Sequence, residues 1–433
     1  MNAPLHSGLE YWLNAPDDGP DLAWLDERRH GARARLSARA LPHSKQEAWR
    51  YTSLKSLLEQ QFTAIDEPLS ALQPEDLDTV LIPGFESHRL VLVNGRYAPE
   101  LSMLGELPAG VRIGGLRDWL QHDPESLRGQ LDAALGDSEA FFATLNSAGL
   151  DDGLVVWLER GAVLERPIEL IHLSVGLDEP RVAQPRHLVH LEAGAQARLI
   201  ERYVSLGEAL YCTNAVMEVV LGRDAVLKHE RLQMESRNAF HLSGFYLLQD
   251  ENSRYSGINI GLGARWARTD LNTRFRGEQA ECVLHGLYLA GDGQLLDYHL
   301  DVEHAVPNCR SEENFKGLLT GQGRAVFDGR VLVAKSAQKS DAAMSNRNLM
   351  LSEQAEIDTK PQLEIYADDV RCSHGTTVGQ IEPEMLFYLR SRGIDASQAR
   401  RMLCLGFAGE VIDQLGVEAV REHVAAAVGQ RLT

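Results

Sequence analysis

The sequence predicts a mainly β fold, a β-helix of stacked strand–turn–strand coils with helical regions at both ends. Three observations carry that prediction. From Leu154 onward similar turns recur: Gly161-Ala162, Gly194-Ala195-Gln196-Ala197, Gly222-Arg223-Asp224-Ala225, Asp250-Glu251-Asn252 and Gly277-Glu278-Gln279-Ala280, at intervals of 33, 28, 28 and 27 residues. A period in this range marks a solenoid or a propeller. Apolar strand-like runs flank the turns, among them Leu154–Leu158, His187–Leu191 and Val216–Leu221. Between them lies no helical periodicity for βαβ units and no Trp-Asp blade signature, which leaves coils that each pair with the next.

The elements follow in order. Residues 1–152 read as a mixed, mostly helical region. Asp21 to Ala40 is rich in Ala, Leu and Arg and is stopped by Pro42. Ser44 and Glu47 have the S-x-x-E spacing of a capping box, which predicts a short helix through Tyr51. Leu90-Val91-Leu92-Val93 followed by Asn94-Gly95 predicts a strand and a tight hairpin. Residues 116–148 return to helical character.

Residues 153–382 are the predicted β-helix. Turns at Gly291-Asp292-Gly293, Gly321-Gln322-Gly323 and Ser352–Ala355 continue its rhythm less regularly. Residues 383–433 are a predicted helical domain. Pro383 suits the first turn of a helix bearing Met385, Leu386 and Leu389. Asp395 and Gln398 cap a second helix, with Ala399, Met402, Leu403, Gly406, Val411 and Leu415 on its apolar positions, broken by Gly416. A third runs from Val417 to about Gln430. One apolar face of this domain is left to spare.

Charge narrows the function. The 433 residues carry 43 Lys+Arg against 62 Asp+Glu, a formal charge of −19. Such a chain repels phosphate backbones, and no concentrated basic patch offsets it. No secretory leader is expected from MNAPLHSGLEYW, and no run reaches a membrane span. A soluble, cytoplasmic protein is expected. The five cysteines, Cys212, Cys282, Cys309, Cys372 and Cys404, are scattered and contain no C-x-x-C pair. That excludes a disulfide framework or a self-contained zinc or iron–sulfur centre.

Three segments are candidates for chemistry. In Asp297-Tyr298-His299-Leu300-Asp301-Val302-Glu303-His304, a strand period of two puts Asp297, His299, Asp301 and Glu303 on one face. That face is either a divalent metal site or the polar exterior of a coil. Lys335–Asp341 with Ser345–Leu351 is polar and Asn-rich, and reads as structural, satisfying turns between coils. In Asp368-Asp369-Val370-Arg371-Cys372-Ser373-His374-Gly375, a thiol and an imidazole two apart face the same side. Arg371 would favour the thiolate if close to it. The pair is inert, a Cys–His nucleophile, or half of a metal site completed by another chain.

Lys360-Pro361-Gln362-Leu363-Glu364-Ile365 through Cys372-Ser373-His374-Gly375 to Val378-Gly379-Gln380 resembles the SufB/SufD family of iron–sulfur cluster assembly scaffolds. Asn346-Arg347-Asn348-Leu349, Phe387–Gly393 and Trp49-Arg50-Tyr51-Thr52 resemble it as well, so the likeness spans essentially the whole chain. Cys-Ser-His-Gly and the length resemble the SufD branch more than the SufB branch.

The resemblance implies a right-handed parallel β-helix, a SufB paralogue paired through the β-helices, and a SufC ABC-type ATPase docked on the C-terminal helices. It implies a non-catalytic scaffold, with His374 and Cys372 at a transient, shared iron–sulfur cluster and no cofactor held stably by the isolated chain, which could homodimerise alone. ATP-driven rearrangement would open the interface. The rival readings are a β-helix polysaccharide lyase or esterase, and an autonomous metalloenzyme on the Asp297–His304 face.

Overall fold

The computed structural model describes residues 8–13, 20–65, 72–136, 138, 140–176 and 179–432. Strand exceeds helix, 41% against 23%, and the strands wind into a β-solenoid of about eight turns. Its two walls are parallel sheets. In the first, Tyr211–Leu221, Phe240–Gln249, Trp266–Phe275, Leu295–His304, Arg324–Val333 and Glu356–Ile365 lie side by side in chain order. In the second, Gln196–Leu206, Val226–Gln233, Arg254–Gly261, Glu281–Ala290, Arg310–Leu319, Asp341–Met350 and Arg371–Gly379 do the same.

Register explains the sequence period. Cys212 pairs with Phe240, Phe240 with Trp266, Trp266 with Leu295 and Leu295 with Arg324, so each coil takes 26 to 29 residues here. One coil holds two strands and two turns. The turns at Gly194, Asp224 and Asn252 stack on one side, each backbone N–H donating to a carbonyl of the next: Gly194 to Arg223, Asp224 to Glu251, Asn252 to Glu278. The backbone is left-handed at each, with φ of 75°, 60° and 54°, a conformation that Gly, Asp and Asn adopt most cheaply. The turns at Gly291, Gly321 and Ser352 close the opposite side. Two interleaved series of turns, spaced alike, produce the irregular rhythm seen in the sequence.

Alternation fills the interior. Along Leu295–His304 the inward Leu296, Tyr298, Leu300, Val302 and His304 are buried, while Asp297, His299, Asp301 and Glu303 point outward. Tyr288, Tyr298, Phe315 and Phe327 stack through successive coils with ring centroids 5.5, 5.6 and 5.4 Å apart.

The two ends differ. At the start, Val111–Gly115 runs antiparallel to Gly153–Leu158, and the hairpin His88–Val93 with Arg96–Tyr97 closes the second sheet. The predicted Asn94-Gly95 turn forms, with φ of 50° and 86°. The N-terminal third therefore adds strands to both sheets besides its helices. At the other end Glu356–Ile365 and Arg371–Gly379 finish the sheets as edge strands, partly or largely exposed.

Helices pack on both outer faces. Ala23–Ser37 and Phe141–Ala148 bury Leu36, Phe142 and Leu145 with Phe240 and Trp266 of the first sheet. The predicted short helix at Ser44 is instead a 3-10 turn, Glu47–Trp49, and the capping box does not form. The Glu47 carboxylate is drawn to Lys360, 2.6 Å away, and cannot also cap. At the C-terminus, Ala396–Ile412 and Glu418–Arg431 bury Cys404, Ala408, Val411, Val424 and Val428 against Ile258, Ile260, Leu287 and Leu318 of the second sheet. Asp395 caps the first of these, accepting from the Ser397 and Gln398 N–H groups at 3.0 Å. Met402, expected on the apolar face, is exposed, because Cys404 and Ala408 face the sheet instead. No helix among the described residues is long and apolar enough to cross a membrane.

Candidate functional site at the open end of the solenoid

Cys372 and His374 lie on the last strand of the second sheet. Cys372 pairs with Ala342 and His374 with Met344 of the preceding strand. Ala342 and Met344 are buried interior residues, so the thiol and imidazole share the inward register at the last coil, which no further strand covers among the described residues. Cys372 is half-buried and His374 exposed. The other four cysteines are buried. Burial pushes the Cys372 thiol above its ordinary value and Asp341 adds to this, against a weaker backbone hydrogen bond from Ala342. Arg371 does not supply the expected help to the thiolate, because the alternation of the strand turns it to the opposite face.

Beneath this pair runs an interior hydrogen-bond ladder. Asn346 donates to Tyr288 Oη (3.0 Å) and Asn348 to Asn346 (2.6 Å); Tyr288 Oη donates to Asn348 (2.6 Å). Thr359 donates to Asn346 (2.9 Å) and meets Thr376 at 3.0 Å, two residues from His374. The Asn-rich segment is thus structural, as read, but by another route. Only Lys335–Ser340 forms the turn, where Ser336 and Ser340 donate to Ala305 and Ala337. Asn346 and Asn348 sit in a strand and point inward.

The Asp297–His304 face is an ion-pair ladder. Asp297 lies 3.2 Å from Arg268 and 2.9 Å from His299, and accepts from Thr52 at 2.5 Å. Asp301 pairs with Arg330 at 2.7 Å, and Glu303 with Arg274 at 3.2 Å. Burial would raise the Asp297 carboxyl, yet His299 and Arg268 together hold it below its ordinary value. Each of these carboxylates is paired with an arginine, which fits the polar exterior of a coil, and among the described residues no three His, Cys, Asp or Glu converge to hold a metal ion. A groove of about 710 Å³ lies over this face, beneath residues 39–49, and its charged walls, such as Asp301–Arg330 and Asp328–Lys360, are paired with each other.

Sequence reasoning missed an interior cluster in earlier coils. Glu201 lies 3.5 Å from His172, 3.2 Å from His229 and 3.6 Å from Arg231, and accepts from Tyr203 at 2.7 Å. Burial opposes its ionisation, but His172 and His229 outweigh that and hold it well below the carboxylate range. The signal was the period-two spacing of Glu201-x-Tyr203 and His229-x-Arg231, which continues the inward register of Leu199 and Leu227 on the same strands.

Residues 19–170 match the SufBD protein N-terminal region, and residues 174–407 match the SufBD core domain of SUF system FeS cluster assembly. The chain belongs to the SufBD family. SufBD relatives cover nearly its full length. It is 36% identical to the iron–sulfur cluster assembly protein SufD of Escherichia coli, over 90% of this chain and 89% of that one. It is 34% identical to the SufBD family protein slr0076 of Synechocystis, over 95% and 92%. Protein ABCI7 of Arabidopsis thaliana chloroplasts is 31% identical over 92% and 84%. SufBD proteins are named for cluster assembly, which fits a fold whose described residues form a scaffold with an uncovered end.

Proposed function

We propose that this chain is a non-catalytic, SufD-like subunit of a cytoplasmic iron–sulfur assembly complex with a SufB paralogue and the SufC ATPase. The observation that carries the reading is the placement of Cys372 and His374 in the inward register of the last, uncovered coil. A thiol and an imidazole are two ligands of a four-coordinate site. A second chain ending in the same kind of edge would supply the rest, and would cover strands otherwise prone to promiscuous pairing. The cluster is cargo, formed between chains and handed on.

The exposed helix Pro383–Ser391 supports the ATPase assignment. Met385, Phe387 and Tyr388 on it are 51, 74 and 57% exposed, a concentration of apolar surface that marks an interaction site. ATP binding by docked subunits would draw these helices together and shift the paired solenoids as rigid bodies, opening the shared end.

The test is co-purification with the two partners, followed by anaerobic iron and sulfide analysis, for the wild type and His374→Ala. The reading expects an intact mutant complex with iron and sulfide lost. A mutant complex that assembles clusters at the wild-type rate removes His374 from the site.

A further inference from the structure

The C-terminal helices form a splint along the second sheet, and it stops one strand short of the end. Gly416 N–H donates to Glu230 at 2.9 Å, and Glu230 pairs with Arg198 at 2.5 Å, which fixes the helices to Gln196–Leu206 and Val226–Gln233. At the far end Lys316 has 0% side-chain exposure, and its ammonium donates to the Phe407 carbonyl (2.9 Å) and to Glu410 (2.7 Å). Arg347, in register with Lys316 on the next strand, meets the same Glu410 oxygen at 2.6 Å. One helix carboxylate thus bridges two adjacent strands. From the Arg198 strand to the Arg347 strand the splint spans six strands, roughly 24 Å at ~4.8 Å per strand.

Mere adhesion would be served by an apolar residue at 316, as its outer-face neighbours Leu287 and Leu318 show. A buried ammonium fixes one geometry, because any slip leaves it unpaired in an apolar layer. Beyond Arg347 comes Arg371–Gly379, whose Thr377 pairs with Arg347 in the sheet. That strand leads through Ile381, tucked against the apolar layer, into the exposed helix Pro383–Ser391.

We propose that Glu410 is a positioning residue: it holds Asp341–Met350 to the helices, so that a partner on Pro383–Ser391 loosens the terminal strand bearing Cys372 and His374 and leaves the coil beneath it in place. The second half rests on the ATPase-docking reading above. The first half is a property of this chain alone.

Hydrogen exchange on the isolated full chain, read in peptides covering 341–350 and 371–379, tests it. Glu410→Gln is expected to speed exchange in 341–350 about tenfold and leave 371–379 within about twofold, and Glu410→Asp to restore most of the protection. Unchanged exchange in 341–350 overturns the role. So does a uniform rise across all peptides in both Glu410→Gln and Arg347→Gln, which would mark Glu410 as general stability only. Adding the ATPase and ATP to the wild type should then speed 371–379 and spare 341–350. A complex that forms without this change overturns the loosening. Failure to form any complex overturns the docking reading, and the isolated-chain comparison still decides the role of Glu410.

Discussion

Arg268 and Asp297 meet at 3.2 Å on adjacent strands of the first sheet, both buried under the N-terminal segment. Arg268 also lies over the Trp49 ring at 3.9 Å and donates to the Ala48 carbonyl at 2.6 Å. Thr52 reaches Asp297 from the same segment, so this pair ties the Trp49-Arg50-Tyr51-Thr52 motif to the solenoid. Removing one partner of such a buried pair leaves the other uncompensated, at a cost of about 3 kcal/mol. Asp297→Asn is expected to lower stability by that order in urea unfolding at pH 7. Because the carboxyl is held low in the fold, its contribution is present above its unfolded value and lost as pH falls through the folded one. The gap between variant and wild type should therefore close in acid.

Glu313 gives the opposite pH signature. It points into the solenoid, neither carboxylate oxygen has a well-formed hydrogen bond among the described residues, and burial, opposed by the nearby Ser311 hydroxyl, pushes it up to about 8. Ser311 lies beside it and bridges toward His304, whose own value burial pushes down to about 4. A carboxyl raised in the fold binds its proton there while the unfolded chain has released it. Wild-type stability from this group therefore falls as pH rises from about 4.5 to about 8, by roughly 3 kcal/mol at pH 7. Glu313→Gln should gain on the wild type across that window and level off above it. Thermal unfolding at pH 5.5, 7 and 8.5 checks this; an advantage that stays flat with pH would mean the carboxyl is already ionised in the fold.

The solenoid was legible because coil geometry imposes a period on turn chemistry: Gly194, Asp224 and Asn252 are all residue types that tolerate positive φ. The same rule made the Asn94-Gly95 hairpin readable. Glu47 shows where local rules end. Its S-x-x-E spacing is genuine, but a charge 313 residues away, on Lys360, competes for the carboxylate and wins. The inward placement of Asn346 and Asn348 was hidden for a related reason, since polar residues read as turns unless the interior is known to hold partners such as Tyr288. Cys372 and His374 were found by their spacing, and their role came from the resemblance. Their position at an uncovered coil needed the sheet order, which no local pattern carries.

Thiol reactivity separates Cys372 from the rest. Burial pushes Cys282, Cys309 and Cys404 up and closes them to reagents, whereas Cys372 is half-open. Maleimide labelling of the native chain should modify Cys372 alone within minutes, and all five in urea. Its own raised value makes the reaction slower than for a free thiol, so the rate should climb steadily with pH. Rapid native labelling of Cys282 or Cys309 would show that the solenoid opens in solution.

The helix Pro383–Ser391 separates binding from folding. None of its residues is buried, so trimming its apolar side chains removes little packing from the fold. Phe387→Ser with Tyr388→Ser should leave the unfolding midpoint within about 1–2 °C of the wild type, as exposed substitutions away from caps and cores generally do. The same variant should fail to retain the ATPase partner in co-purification while still pairing with the SufB paralogue through the solenoid end. Partner loss without loss of stability places docking on this helix. Retention of the ATPase by a folded variant moves the docking surface elsewhere, to the outer sides of Ala396–Ile412 and Glu418–Arg431, where Met402 is the large apolar side chain left exposed.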